Sequence, residues 1–113
     1  MEIWVEFDGE KWVVSPDPAI VSRGAPIRWR FRSVSLSVPQ VLWTIYFAHG
    51  SSPFTSRATQ LATTTLNIAG QHTGATGTMT AAEPGDYKYG VRAQDLSNQN
   101  TLGDDDPHLV VTP

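Results

Sequence analysis

An all-β fold, an antiparallel Greek-key sandwich of about seven or eight strands, is what this sequence predicts. Three observations predict it. Residues Ile27 to Arg32 alternate strictly between apolar and arginine side chains. Short runs of β-branched and aromatic residues recur along the chain, each closed by Gly, Pro or Asp. No stretch has the apolar spacing of a long helix.

The elements follow in order. Ile3-Trp4-Val5-Glu6-Phe7 is a short aromatic strand, and Asp8-Gly9 ends it as a hairpin turn does. Trp12-Val13-Val14 resumes before Ser15-Pro16-Asp17-Pro18, where the prolines interrupt regular pairing. Ala19-Ile20-Val21 is an extended piece stopped by Arg23-Gly24. In the next strand a period of two places Ile27, Trp29 and Phe31 on one face and Arg28, Arg30 and Arg32 on the other. Val41 to Ala48 is nearly all apolar and reads as a central strand covered on both sides, or as an inner strand beside an interface; its β-branched and aromatic content argues against helix. Residues 51 to 80 are the least regular: Thr63 to Ile68 and Thr76 to Thr80 read as strands, Ser52 to Arg57 as a loop. Pro84-Gly85 then turns into a strand with Tyr87, Tyr89 and Val91 on one face. Leu96 to Asp106 is polar and reads as a loop, and Leu109-Val110-Val111 closes the fold.

The totals narrow the function classes. At 113 residues the chain fits one domain, 1–113. A net charge of -3 argues against nucleic acid as a partner. The absence of cysteine excludes disulfides, thiolate metal sites and cysteine nucleophiles. The acidic N-terminal stretch is not a signal peptide, and no apolar run is long enough to span a membrane, so the chain as written reads as soluble and cytoplasmic.

Three segments together resemble the cupredoxin fold. Val14-Ser15-Pro16 through Gly24-Ala25-Pro26-Ile27-Arg28-Trp29 is similar to the family's "SP…V..G..V.W" run. Pro84-Gly85-Asp86-Tyr87-Lys88-Tyr89 is similar to the "PG.Y.Y" that precedes the copper cysteine, and Asp106 to Val111 to the last strand. The resemblance implies a copper site of two histidines, a thiolate and an axial methionine. Its thiolate position falls on Val91, its first histidine near Gln40 or Trp43, and its remaining ligands in Arg92 to Asp106, which holds neither histidine nor methionine. The implied object is a cupredoxin scaffold without copper ligands, metal or cofactor. A second resemblance, of Pro84 to Ala93 to the "PG..Y...V.A" of fibronectin type III domains, ranks behind it.

Candidate functional residues are few. His49, His72 and His108 are widely spaced and read as solvated loop residues. Asp104-Asp105-Asp106 reads as a solvated turn; with Asp95 it is the first place to look for a divalent ion. Arg28, Arg30 and Arg32 repel one another unless Glu2 and Glu6 lie on a neighbouring strand; otherwise they offer a groove to an anion or acidic partner. Alternation points Trp4 outward, beside Trp12 or Tyr46, as a contact surface. The expected binding surface is therefore Trp4, Trp12, Arg28, Arg30 and Arg32. The expected role is a non-catalytic module contacting another protein or a second copy of itself, with carbohydrate or a small anion as the alternative ligand.

Overall fold

The computed structural model describes residues 1–113 and contains only strands, turns and irregular chain. There are twelve strands: β1 (Glu2–Phe7), β2 (Trp12–Ser15), β3 (Ala19–Ser22), β4 (Pro26–Ser33), β5 (Gln40–Tyr46), β6 (Gln60–Leu66), β7 (His72–Ala75), β8 (Met79–Thr80), β9 (Gly85–Lys88), β10 (Gly90–Asp95), β11 (Thr101–Asp105) and β12 (His108–Thr112). One sheet runs β2-β1-β4-β7, with β8 also against β4; a second runs β11-β10-β5-β6; a third, smaller sheet is β3-β12-β9. Tyr89 alone separates β9 from β10, so the third sheet continues from the second.

The sandwich expectation holds, with more and shorter strands. Two pairings are parallel: β1 with β4 and β3 with β12. The reason is connectivity. Each parallel pair is joined by chain that passes through another sheet, β3 between β1 and β4 and β4 to β8 between β3 and β12, which a two-residue hairpin cannot do.

Alternation builds the core. Ile3, Val5 and Phe7 of β1, Ile27, Trp29 and Phe31 of β4, and Val41, Trp43 and Ile45 of β5 are all buried. Phe31 from the first sheet stacks on Trp43 from the second, centroids 5.1 Å apart. Trp29 meets Phe47, Phe54 and Tyr89 edge-on. Such pairs add to what burial of the rings alone supplies.

Three sequence expectations change. The outer face of β5 is only half covered, since Leu42, Thr44 and Tyr46 keep partial exposure. The expected loop from Leu96 to Asp106 contains β11, whose backbone pairs with β10 from Val91↔Asp105 to Gln94↔Thr101. Its polar sequence hides a strand because hydrogen bonding to an existing edge, not apolar burial, holds it. Gly103 sits there for space: a Cβ would collide with the rings of Phe7 and Trp12. Finally, β7 was not expected at all, because His72 to Ala75 lies between glycines and shows no apolar alternation.

Candidate functional site

The outer face of β1 and β4 gathers most of the expected binding surface. Their parallel register sets Glu2 beside Arg28, Trp4 beside Arg30 and Glu6 beside Arg32. Glu2 Oε1 accepts from Arg28 Nη2 at 2.8 Å and Glu2 Oε2 from Arg30 Nη1 at 3.3 Å. Arg32 Nε lies 3.6 Å from Glu6 Oε1, an ion pair beyond hydrogen-bond range. The Arg30 guanidinium lies over the Trp4 ring, 4.6 Å from its centroid. The two glutamates expected to offset the arginines therefore do so. All these groups are well exposed, and such pairs contribute little to folding.

Trp12 does not join this face. The β1–β2 register pairs it with Phe7, on the opposite side of the sheet from Trp4. It stacks on Phe7 at 4.2 Å and meets Trp43 edge-on at 6.2 Å. Strand alternation takes Trp12 into the packing and turns Val13 outward instead. Tyr46 is elsewhere too: it lies over Gly90, where any Cβ would overlap its ring.

Beside Trp4 runs a groove of about 340 Å³ lined by Trp4, Arg30, Phe31, Arg32, Thr73 and the Gly74-Ala75 backbone. No carboxylate lines it. Its polar character is two guanidinia, a threonine hydroxyl and the tryptophan ring, which suits an anionic or aromatic-binding contact.

The Arg28 hydrogen bond, aided by Arg30, holds the Glu2 carboxyl below its ordinary range. A depressed carboxylate stabilises the fold at pH above its unfolded value, and that contribution is lost as pH falls through the folded value. Glu2→Gln is therefore expected to lower the melting temperature at pH 7 and to leave it unchanged near the acid end of the carboxylate range. Thermal melts of both proteins across that range check this; a difference constant with pH contradicts the pairing.

One of the three histidines departs from the expectation. His49 and His108 are exposed, but His72 is wholly buried on β7. Its Nε2 lies 2.9 Å from the Val38 carbonyl oxygen and its Nδ1 2.9 Å from Thr65 Oγ1; Trp43 Nε1 donates to the same Oγ1 at 2.9 Å. One arrangement of protons satisfies every atom. A carbonyl only accepts, so Nε2–H donates to Val38; an indole N–H only donates, so the Thr65 hydroxyl accepts from Trp43 and donates to Nδ1. The sequence could not show this, because all the partners lie on other strands or loops.

Three of the four candidate aspartates are separately engaged. Asp104 accepts from Tyr46 Oη at 3.2 Å and from Arg92 Nε at 3.4 Å, Asp95 from Ser97 Oγ at 2.7 Å, and Asp106 faces Lys88 at 3.9 Å. Burial first, then the Asp104 charge, pushes the Tyr46 hydroxyl above its ordinary value. No three histidine or carboxylate side chains converge anywhere in the chain.

The copper positions implied by the sequence fare the same way. Val91 is buried on β10 opposite Ile45, and Trp43 is core on β5. The stretch in place of a ligand loop is the β10–β11 hairpin. With no thiolate in the chain and three dispersed histidines, the donor set does not fit a blue-copper ion.

No protein-family model and no curated protein sequence matches this chain. Solved structures do. Auracyanin A, a "blue" copper protein from Chloroflexus aurantiacus, is similar with a TM-score of 0.53 and 17% identity, covering 99% of this chain and 98% of that one. Auracyanin from Roseiflexus castenholzii gives 0.50 and 18% identity, over 99% and 97% of the two chains. A rusticyanin mutant gives 0.53 and 12% identity, over 99% and 77%. The chain has the cupredoxin fold, built on a sequence without copper ligands.

Proposed function

We propose that this chain is a non-catalytic β-sandwich module that makes protein–protein contacts through the outer face of β1 and β4. The observation that carries this reading is exposed Trp4, 39% accessible, set among Arg28, Arg30 and Arg32 on a rigid sheet. Tryptophan and arginine are the side chains that dominate binding energy at protein interfaces. The paired charges are loosely held and free to re-pair with a partner's carboxylates. The one grouping that resembles a nucleophile and its base, Thr65 with His72, is sealed from solvent and ends on a backbone carbonyl. Its hydroxyl already accepts from Trp43 and its imidazole already donates to Val38, so the reading is non-catalytic. The domain is read as one unit, 1–113, with neither copper nor redox activity.

A second reading is a carbohydrate or small anion in the groove beside Trp4. The anion is the better supported of the two, because Arg30 already lies on the ring face that a sugar would need. Arg32, whose only carboxylate is 3.6 Å away, is the available anchor.

Affinity capture with the wild type and the Trp4→Ala/Arg30→Ala double variant tests the first reading. A protein retained by the wild type and lost from the variant supports it; identical retention by both overturns it. Glycan-array binding lost on Trp4→Ala moves the assignment to the second reading.

A further inference from the structure

Between Arg57 and Glu83 the sequence holds no Asp, Glu, Lys or Arg, although the chain carries 19 such residues in all, 8 basic plus 11 acidic. This neutral segment folds into β6, β7 and β8. It supplies the terminal strand of both large sheets on one side of the sandwich, β6 for one and β7 for the other. A hairpin with an Ile68↔Gln71 bridge joins the two. Leu66 and Ile68 are 54% and 71% exposed there. Between the strands lies a cleft of about 370 Å³ lined by Thr64, Thr65, Leu66, Ile68, Gln71 and Thr73.

β6 is seven residues long, Gln-Leu-Ala-Thr-Thr-Thr-Leu, and pairs only with β5. Its other edge has no strand partner. Edge strands are ordinarily guarded by a lysine, a proline, a bulge or brevity. β6 has none of these: its register against β5 is unbroken from Gln40↔Leu66 to Tyr46↔Gln60, and it contains no charge and no proline. β7 lies against it through side chains, Thr63 Oγ1 donating to the Ala75 carbonyl at 3.3 Å, but no backbone pairing joins the two strands.

We propose that this edge is where two copies of the chain associate, β6 pairing antiparallel with β6 of the second copy about a two-fold axis. Charge selects that occupant. Each copy carries a net -3, which weakly disfavours association through its charged surfaces. The neutral segment lets them meet without like charges opposed. A two-fold pairing sets the same strand against itself, which for β6 centred on Thr63 brings Thr63 opposite Thr63, Thr64 opposite Ala62, Thr65 opposite Leu61 and Gln60 opposite Leu66, all uncharged pairs. The exposed Leu66 and Ile68 side chains are then covered at the flanks. The two inner edges merge into one eight-stranded sheet, four strands from each copy.

The cleft meets the groove beside Trp4 at Thr73, but β6 itself carries neither Trp4 nor any of the three arginines, so its test is independent of the proposed function. Light scattering and sedimentation at millimolar concentration are expected to give twice the 12.4 kDa chain mass. Thr64→Lys and Thr64→Glu, at an exposed position the fold tolerates, are each expected to run as single chains with unchanged circular dichroism. Mixing the two is expected to restore the doubled mass. Trp4→Ala is expected to leave it intact. A wild type of single-chain mass overturns the proposal, as does a dimer that both Thr64 variants leave unchanged; a dimer lost only on Trp4→Ala assigns association to the other face.

Discussion

Replacing Trp29 by alanine is expected to cost about 3–5 kcal/mol of unfolding free energy, a large share of what a domain of this size possesses. Trp29 is fully buried and contacts Phe47, Phe54 and Tyr89, drawing β4, the end of β5, the following loop and the β9–β10 junction together. Its Nε1–H donates to Tyr89 Oη at 3.1 Å. Burial pushes that hydroxyl's pKa up, so it stays protonated across the working range. Alanine leaves a void that four separate segments cannot close together. Urea unfolding followed by circular dichroism measures the effect as a lower midpoint at constant slope. Trp29→Phe, which keeps a ring but removes the donor to Tyr89, is expected to fall between. A midpoint unchanged by the alanine variant contradicts the packing described.

Thr65→Val is expected to cost about 2–6 kcal/mol, although the two side chains have nearly the same shape. The hydroxyl is the only group between Trp43 Nε1 and His72 Nδ1. Valine leaves a buried donor and a buried acceptor without partners, at about 1–3 kcal/mol for each such group. Thr65→Ser, which retains the hydroxyl, is expected to cost less. The Trp43 indole N–H gives a second readout: its proton exchange with solvent is expected to quicken in the valine variant more than in the serine variant. Equal stability of wild type and valine variant rules out the proton arrangement assigned to this chain.

Legibility in the sequence tracked how local the signal was. β4 could be read directly, since Ile27-Arg28-Trp29-Arg30-Phe31-Arg32 states both of its faces. The need for Glu2 and Glu6 near the arginines followed from repulsion alone, and the β1–β4 register supplies them. Trp12 was misplaced because a hairpin register decides which side a residue takes, and the turn Asp8 to Lys11 shifts it onto the side of Phe7. β11 and His72 were missed for a common reason. Each is held by polar groups donated from elsewhere, by the β10 backbone for one and by Thr65 and Val38 for the other. Hydrophobic periodicity carries no trace of such partners. The neutral run from Ala58 to Ala82 was visible as residues, but its place along two sheet edges was not.

The parallel pairing of β3 with β12 has a consequence for synthesis. Ala19–Ser22 can find its partner only after His108–Thr112 has left the ribosome, since β12 is the middle strand between β3 and β9. Until then Ala19, Val21 and Tyr87 lack the neighbours that cover them, and so distant a closure is slow. The nascent domain is thus expected to remain open, and to need shielding from its neighbours on the polysome, until β12 has emerged.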